Sequence, residues 1–215
     1  MKRAADIGAA LFGALLLAPL LLCIALLVLL GSGAPILYRE ERIGQYGRPF
    51  FLLKFRTLRP GSSTDSSIAP EDDPRITGVG LPLRRSRLDE IPQLYNVLVG
   101  DMSLVGPRPM VLKHMEALDL ATRQQLQSVR PGVTGPASIQ FFAEDAVLAG
   151  RPDAELEYLQ LLLPAKAAVQ LHYLRHWDLS LDLRIICLTL ASVWSPRARE
   201  ESRRRVEDIL AHRRA

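Results

Sequence analysis

Between Ile7 and Leu30 the chain carries no charged residue, and Pro19 stands near the middle of that run. At about 1.5 Å per helical residue the run reaches across a hydrocarbon core of about 30 Å, so membrane contact constrains every fold open to this chain. The run is too long for the apolar part of an ordinary cleaved signal, and the GSGAP that follows is a poor cleavage site. Lys2 and Arg3 precede it, while Arg39, Arg42, Arg48, Lys54, Arg56 and Arg59 follow. A simple spanning helix therefore leaves a basic flank outside in either orientation. Proline within a helix removes a backbone donor and clashes with the preceding turn, which kinks it. Two readings stay open: a transmembrane helix with a proline kink, and a re-entrant helix-break-helix. The second accounts for charge and proline together and leaves both flanks cytoplasmic.

The 215-residue chain has room for one sizeable core. Its net charge of +4 points to an anionic partner, but with 48% hydrophobic residues no nucleic acid is expected. Cys23 and Cys187 are the two cysteines, so no disulfide framework or cysteine metal cluster is expected, and the bulk of the protein suits a reducing compartment.

Beyond the apolar run, residues 84–109, RRSRLDEIPQLYNVLVGDMSLVGPRP, are the most informative. Leu88, Ile91, Leu94, Tyr95 and Leu98 recur at helical spacing. Ser86 is a candidate N-cap with Asp89 three residues on, and Pro92 is acceptable near a helix start. Asp89 and Glu90 then fall in the first turns, where the helix dipole favours negative charge and keeps Asp89 ionised. One reading is a capping box beside solvated arginines; the other is phosphoryl chemistry by carboxylates among phosphate-binding cations. Pro107 and Pro109 restrict the backbone of Arg108, which suits either a rigid turn or a guanidinium held ready for a bidentate phosphate contact.

Residues 35–59 alternate short β-favouring runs with Gly44, Gly47 and Pro49, which predicts a hairpin. Lys54 and Arg56 at its end share one face and can meet a phosphate or anionic lipid. Residues 61–74 read as a mobile polar loop. In RPGVTGP, the Thr134 hydroxyl and the glycine amides are candidates to face a nucleotide. The C-terminal third reads as helices at 153–163 and 165–176 with Pro164 as a boundary, then an apolar helix at 181–193 flanked by Trp177 and Trp194 and suited to the membrane interface. Arginines from 197 onward alternate with carboxylates, a pattern for lipid headgroups or a solvated helix. His172 and His176 are four apart but have no further metal-ligand motif around them.

The motifs KRAADIGAALFG, ERIGQYGRPFFLLKFRTLR, DDPRITGVG, LRRSRLDEIPQLYNVLVGDMSLVGPRP, VRPGVTG and WDLSLDLRI, in this order, resemble those of the small monotopic phosphoglycosyl transferases, a bacterial sugar transferase family. The resemblance implies a mainly helical α/β fold: a re-entrant membrane helix at 1–34, a small catalytic core with interfacial amphipathic helices at 35–196, and a basic tail at 197–215. It implies transfer of a phosphosugar from a UDP-sugar to a polyprenyl phosphate at the cytoplasmic face of the bacterial inner membrane, with Mg²⁺. On matching positions Asp89 is the nucleophile, forming an aspartyl-phosphosugar and releasing UMP. Glu90 assists proton handling, both carboxylates organise the metal, and Lys54, Arg84 and Arg108 bind phosphate.

This chain departs from the family pattern twice. Ala18-Pro19 stands where Ser-Pro is common, and the segment after VRPGVTG lacks an Asn-Gly-Arg element linked to nucleotide-sugar recognition. The first departure bears on re-entry and the second on the identity of the sugar. Two rivals remain at this stage, a polyprenyl-linked hydrolase and a non-enzymatic basic module that binds anionic lipid or an assembly partner.

Overall fold

The computed structural model describes residues 2–61 and 69–211, apart from the Trp194 side chain. Half of the loop expected at 61–74, residues 62–68, lies outside the described residues. The chain begins with helices α1 (Lys2–Leu16) and α2 (Ala18–Ser32), followed by strands β1 (Leu37–Ile43) and β2 (Pro49–Phe55). Then come α3 (Gly80–Arg85), α4 (Gln93–Val99), β3 (Ser103–Val105), α5 (Leu112–Glu116), α6 (Leu120–Gln127) and β4 (Gly132–Thr134). Six more helices follow: α7 (Pro136–Gln140), α8 (Glu144–Leu148), α9 (Ala154–Glu157), α10 (Leu163–Arg175), α11 (Leu179–Trp194) and α12 (Pro196–Ala211). The fold is the mainly helical α/β type expected, with β1 and β2 as an antiparallel hairpin and β3 and β4 as a short parallel pair.

The expected kink is a complete break. Pro19 lies in the first turn of α2, where a missing N–H breaks no helical bond, and α1 and α2 meet at 62°. Among the described residues no single helix is long and apolar enough to cross a membrane, whereas this bent pair together meets that test. Leu11, Phe12, Leu15, Leu16, Leu22 and Leu30 are exposed on it. Its two ends are tied to the rest of the protein. Lys2 pairs with Asp182, Arg3 donates to the carbonyls of Val97 at 2.6 Å and Leu98 at 3.1 Å, and Asp6 accepts from the Ser103 hydroxyl at 2.8 Å. At the other end, Arg56 donates to the carbonyls of Ser32 at 2.7 Å and Gly33 at 2.6 Å, satisfying acceptors that a helix C-terminus leaves open.

Ala10 of α1 packs with Phe50, Leu52, Val97 and Met102, while Ile24 and Val28 of α2 pack with Phe55, Leu83 and the partly buried Leu88. The largest core joins α5 to α10 with α12 through Met115, Phe141, Leu148, Leu162, Leu163, Val206 and Leu210. The basic segment at 197–215 is thus helical through Ala211, with one face buried and Arg203–Glu207 and Arg204–Glu200 pairs on its surface. Pro164 does not separate two helices as expected. A π-helical turn at Tyr158–Leu162 absorbs it, and Leu163 N–H reaches back to the Tyr158 carbonyl. His172 and His176 stack with ring centroids 4.3 Å apart, and the described residues contain no group of three or more metal-type donors.

The RPGVTGP segment, whose Thr134 hydroxyl and glycine amides were candidates to face a nucleotide, makes structural contacts instead. Thr134 hydrogen-bonds Thr189 at 2.7 Å, Gly106 N–H donates to the Thr134 carbonyl, and Gly132 N–H donates to that of Pro107. The backbones of Gly106, Gly132 and Gly135 lie so close that a Cβ on Gly132 would overlap the Gly106 nitrogen. Gly132→Ala is therefore expected to destabilise the protein by about 1–3 kcal/mol, the usual cost of overpacking, and to lower its melting temperature. An unchanged melting curve would show that β3 and β4 separate freely.

Candidate active site

Leu88, Asp89 and Glu90 form one turn of 3-10 helix, entered from Arg87 in the left-handed region at φ 56°. Two expectations about this turn need correction. Ser86 is not its cap, since its hydroxyl donates to the Pro82 carbonyl at 2.8 Å and closes α3. Asp89 lies in this 3-10 turn ahead of α4, which starts beyond Pro92, and not in the first turns of that helix. Of the apolar stripe, Tyr95 is exposed, and the buried face of α4 is Gln93, Asn96 and Val97. Asn96 fastens α4 to the hairpin, donating to the Phe51 carbonyl at 2.8 Å and accepting from Leu53 N–H at 3.1 Å. That bridge sets the carboxylate turn beside Lys54, the next inward residue of β2 after Phe50 and Leu52.

All five residues singled out from the sequence line one cavity of about 640 Å³: Lys54, Arg84, Asp89, Glu90 and Arg108. Glu90 is 8% exposed and Asp89 6%. Arg108 grips Glu90 with both guanidinium ends, at 2.7 and 3.4 Å, while Arg87 stands 3.6 Å and Lys54 3.8 Å from it. Burial opposes the Glu90 charge, but Arg108 first, then Lys54 and Arg87, outweigh it and hold this carboxyl far below the usual range. Asp89 moves the other way. Burial first, and the Glu90 charge second, push it up to about 6 despite Lys54, Arg87 and Arg84, so it sits much closer to neutrality than its position in the sequence implied. Burial likewise lowers Lys54, against the pull of Glu90.

Arg84 donates to the Ala69 carbonyl at 2.5 Å and to Asp145 at 3.2 Å. Arg56, paired with Lys54 by spacing, turns to the end of α2 and does not contact the carboxylates. Reading the sequence overlooked Arg87, although it lies in the same motif; Arg42, which donates to Glu40 and the Pro109 carbonyl; and Gln170. Gln170 is fully buried on α10, and its Oε1 accepts the Arg108 N–H at 2.5 Å, a partner that no sequence pattern announces.

The residues present fit Mg²⁺ in part. Asp89 Oδ1 is buried without a hydrogen-bond partner, and Mg²⁺ commonly takes one or two carboxylates, with substrate phosphates and waters completing its shell. Glu90, surrounded by cations, does not fit a ligand role in this arrangement.

An acid whose folded pKa is raised contributes stability at low pH that is lost as pH climbs through the folded value. In chelator-treated protein, Asp89→Asn is expected to match the parent's stability near pH 4 and to exceed it above about pH 6, by on the order of 2–3 kcal/mol. Melting temperatures across that range test this, and a difference independent of pH would refute the burial argument.

The profile described as "Bacterial sugar transferase" matches residues 1–196. The chain is 37% identical over 198 residues to the UDP-glucose:undecaprenyl-phosphate glucose-1-phosphate transferase of Escherichia coli K12, covering 88% of this chain and 39% of that one. A protein of the same name from Caulobacter vibrioides is 38% identical over 198 residues, covering 89% of this chain and 69% of that one. The exopolysaccharide production protein PSS of Rhizobium leguminosarum is 37% identical over 204 residues, covering 89% and 94%. With a family-wide match over nearly its whole length and relatives of this similarity, the chain belongs to the bacterial sugar transferase family.

Proposed function

We propose that this protein transfers a phosphosugar from a UDP-sugar to a polyprenyl phosphate at a membrane surface, with Asp89 as nucleophile. One observation carries this reading. A buried Asp89 oxygen without a hydrogen-bond partner stands in a cavity walled by Lys54, Arg84, Arg87 and Arg108. The names of the E. coli and C. vibrioides relatives, which specify UDP-glucose and undecaprenyl phosphate, support it. The PSS relative supports a place in exopolysaccharide production.

The cationic wall takes the diphosphate and stabilises the charge on the phosphoryl group in transfer. An Asp89 oxygen attacks the sugar-bearing phosphorus, and the bond to the other phosphate breaks, releasing UMP with the electron pair. An oxygen of polyprenyl phosphate then attacks the same phosphorus, and the bond to Asp89 breaks and restores the carboxylate. Glu90 holds Arg108 and Lys54 together until substrate arrives. As the diphosphate draws those cations away, Glu90 loses what keeps it ionised, and Oε1 becomes able to take a proton from the incoming phosphate. Mg²⁺, when bound at Asp89, supplies further neutralisation of phosphate charge.

The bent α1–α2 pair is read as re-entrant. Each helix has 15 residues, about 22 Å, short of the roughly 30 Å core, and both ends of the pair are held by the same body. A span would place those ends on opposite sides of the bilayer. The basic flanks support a reading in which the body lies on the cytoplasmic face of the bacterial inner membrane.

Two experiments test this reading. With UDP-sugar alone, intact-mass measurement is expected to show a phosphosugar adduct on the parent and none on folded Asp89→Asn, because an amide is a poor nucleophile. An adduct on the variant would remove Asp89 from the role. Addition of polyprenyl phosphate separates transfer from hydrolysis, since free sugar phosphate in place of lipid product would mean a hydrolase, and no turnover a binding module. For topology, cysteines placed before Met1 and at position 48, with Cys23 and Cys187 replaced by serine, are expected to label from the cytoplasm only. Labelling from opposite sides would mean that the pair spans.

A further inference from the structure

The cavity has further walls that the proposed chemistry does not use, and one is built around a buried ion pair. His114, Glu144, Leu148, Tyr158 and Lys166 line it, with Glu144 and Asp145 near enough to act on Arg108. Lys166 is 3% exposed, and its ammonium lies 2.7 and 2.6 Å from the two Glu144 oxygens and 3.4 Å from the Tyr158 hydroxyl. Replacing such a pair with apolar residues of similar volume is often neutral or stabilising, so stability alone does not account for it on a cavity wall.

We propose that Glu144 and Tyr158, oriented by Lys166, form the subsite that reads the hydroxyl pattern of a neutral hexose on the nucleotide sugar and that rejects a uronic acid. This rests on the transfer reaction proposed above. A carboxylate offers about four acceptor positions, and Lys166 occupies two on Glu144, which leaves acceptors for sugar hydroxyls. The Tyr158 hydroxyl accepts from Lys166 and keeps its own proton to donate. An acceptor beside a donor matches adjacent hydroxyls, and inverting one of them leaves a buried polar group unpaired.

The charges on this wall are already spent. Lys166 is held by Glu144, and Asp145 by Arg84 at 3.2 Å. A sugar carboxylate would therefore meet two carboxylates with no free cation among these four groups. His114 lies 4.8 Å from the Tyr158 ring between centroids, and burial first, then Arg42, pushes its pKa down to about 4, so it adds a neutral ring to this surface.

The test uses the full chain reconstituted in phosphatidylethanolamine–phosphatidylglycerol vesicles with undecaprenyl phosphate. UDP-glucose, UDP-galactose, their N-acetylamino counterparts and UDP-glucuronate are compared both as donors and as competitors for binding. The parent is expected to favour one neutral epimer and to reject the uronate. Glu144→Gln and Tyr158→Phe are expected to reduce the preference between epimers by about tenfold, the loss of one good hydrogen bond, and Glu144→Gln to improve uronate binding. Tyr158→Phe keeps the packing, which guards against a Glu144 variant that unfolds. If transfer fails with every donor but binding discriminates and shifts in the variants, the subsite stands and the transfer chemistry falls. An unchanged epimer preference in both folded variants, or a parent that binds the uronate as well as its best hexose, overturns the subsite.

Discussion

Two adjacent carboxylates buried together cannot both hold a charge unless cations are brought to them, and the fold is arranged around that requirement. Lys54 comes from the hairpin, Arg84 and Arg87 from α3 and the turn after it, and Arg108 from a turn after β3. These segments are distant in sequence. Desolvating Asp89 and Glu90 costs several kcal/mol per ion unless paired. The pairing is unequal, since Glu90 takes the direct contacts with Arg108, Arg87 and Lys54 while Asp89 Oδ1 is left without a hydrogen bond. An unpartnered buried oxygen is costly in the resting protein, and the same cost makes it available to a phosphorus atom or a metal ion.

The cations hold their positions because backbone geometry leaves them little freedom. Arg108 stands between two prolines, and its own N–H is taken by Gln170. Beneath it the glycine contacts of β3 and β4 admit no side chain. Asn96 serves α4 as a strand neighbour would, meeting the carbonyl and amide of β2. A guanidinium fixed in this way loses less entropy on meeting a diphosphate than one on a free loop.

What the sequence made plain and what it hid divide along physical lines. Apolar runs, prolines and charge act locally, so the break at Pro19 in the N-terminal apolar run, the hairpin and the five cavity residues were legible in the sequence. Where a residue's partner lies far along the chain, the pattern misled. Ser86 and Asp89 have capping-box spacing, but Arg87 adopts positive φ between them and separates the two turns. Thr134 looked available to a ligand until α11 brought Thr189 against it. Pro164 looked like a stop because a π-turn, which widens the helix by one residue, leaves little mark in composition. Asn96 and Gln170 are ordinary polar residues whose importance exists only in the folded contact.

The bent α1–α2 pair is part of the same arrangement. Leu88, next to Asp89, packs on Ile24 and Val28 of α2, and Lys54 and Arg56 sit two residues apart with one at the carboxylates and the other on the end of α2. On the reading proposed above, the acceptor phosphate arrives at the level of the headgroups. A nucleophile mounted on a separate domain would have to find that depth for each turnover. On that reading, one whose turn shares its core with α2 has its depth set by how far α2 enters the bilayer. Positioning of this kind removes translational freedom before reaction, which is where enzymes joining two bound partners gain much of their rate.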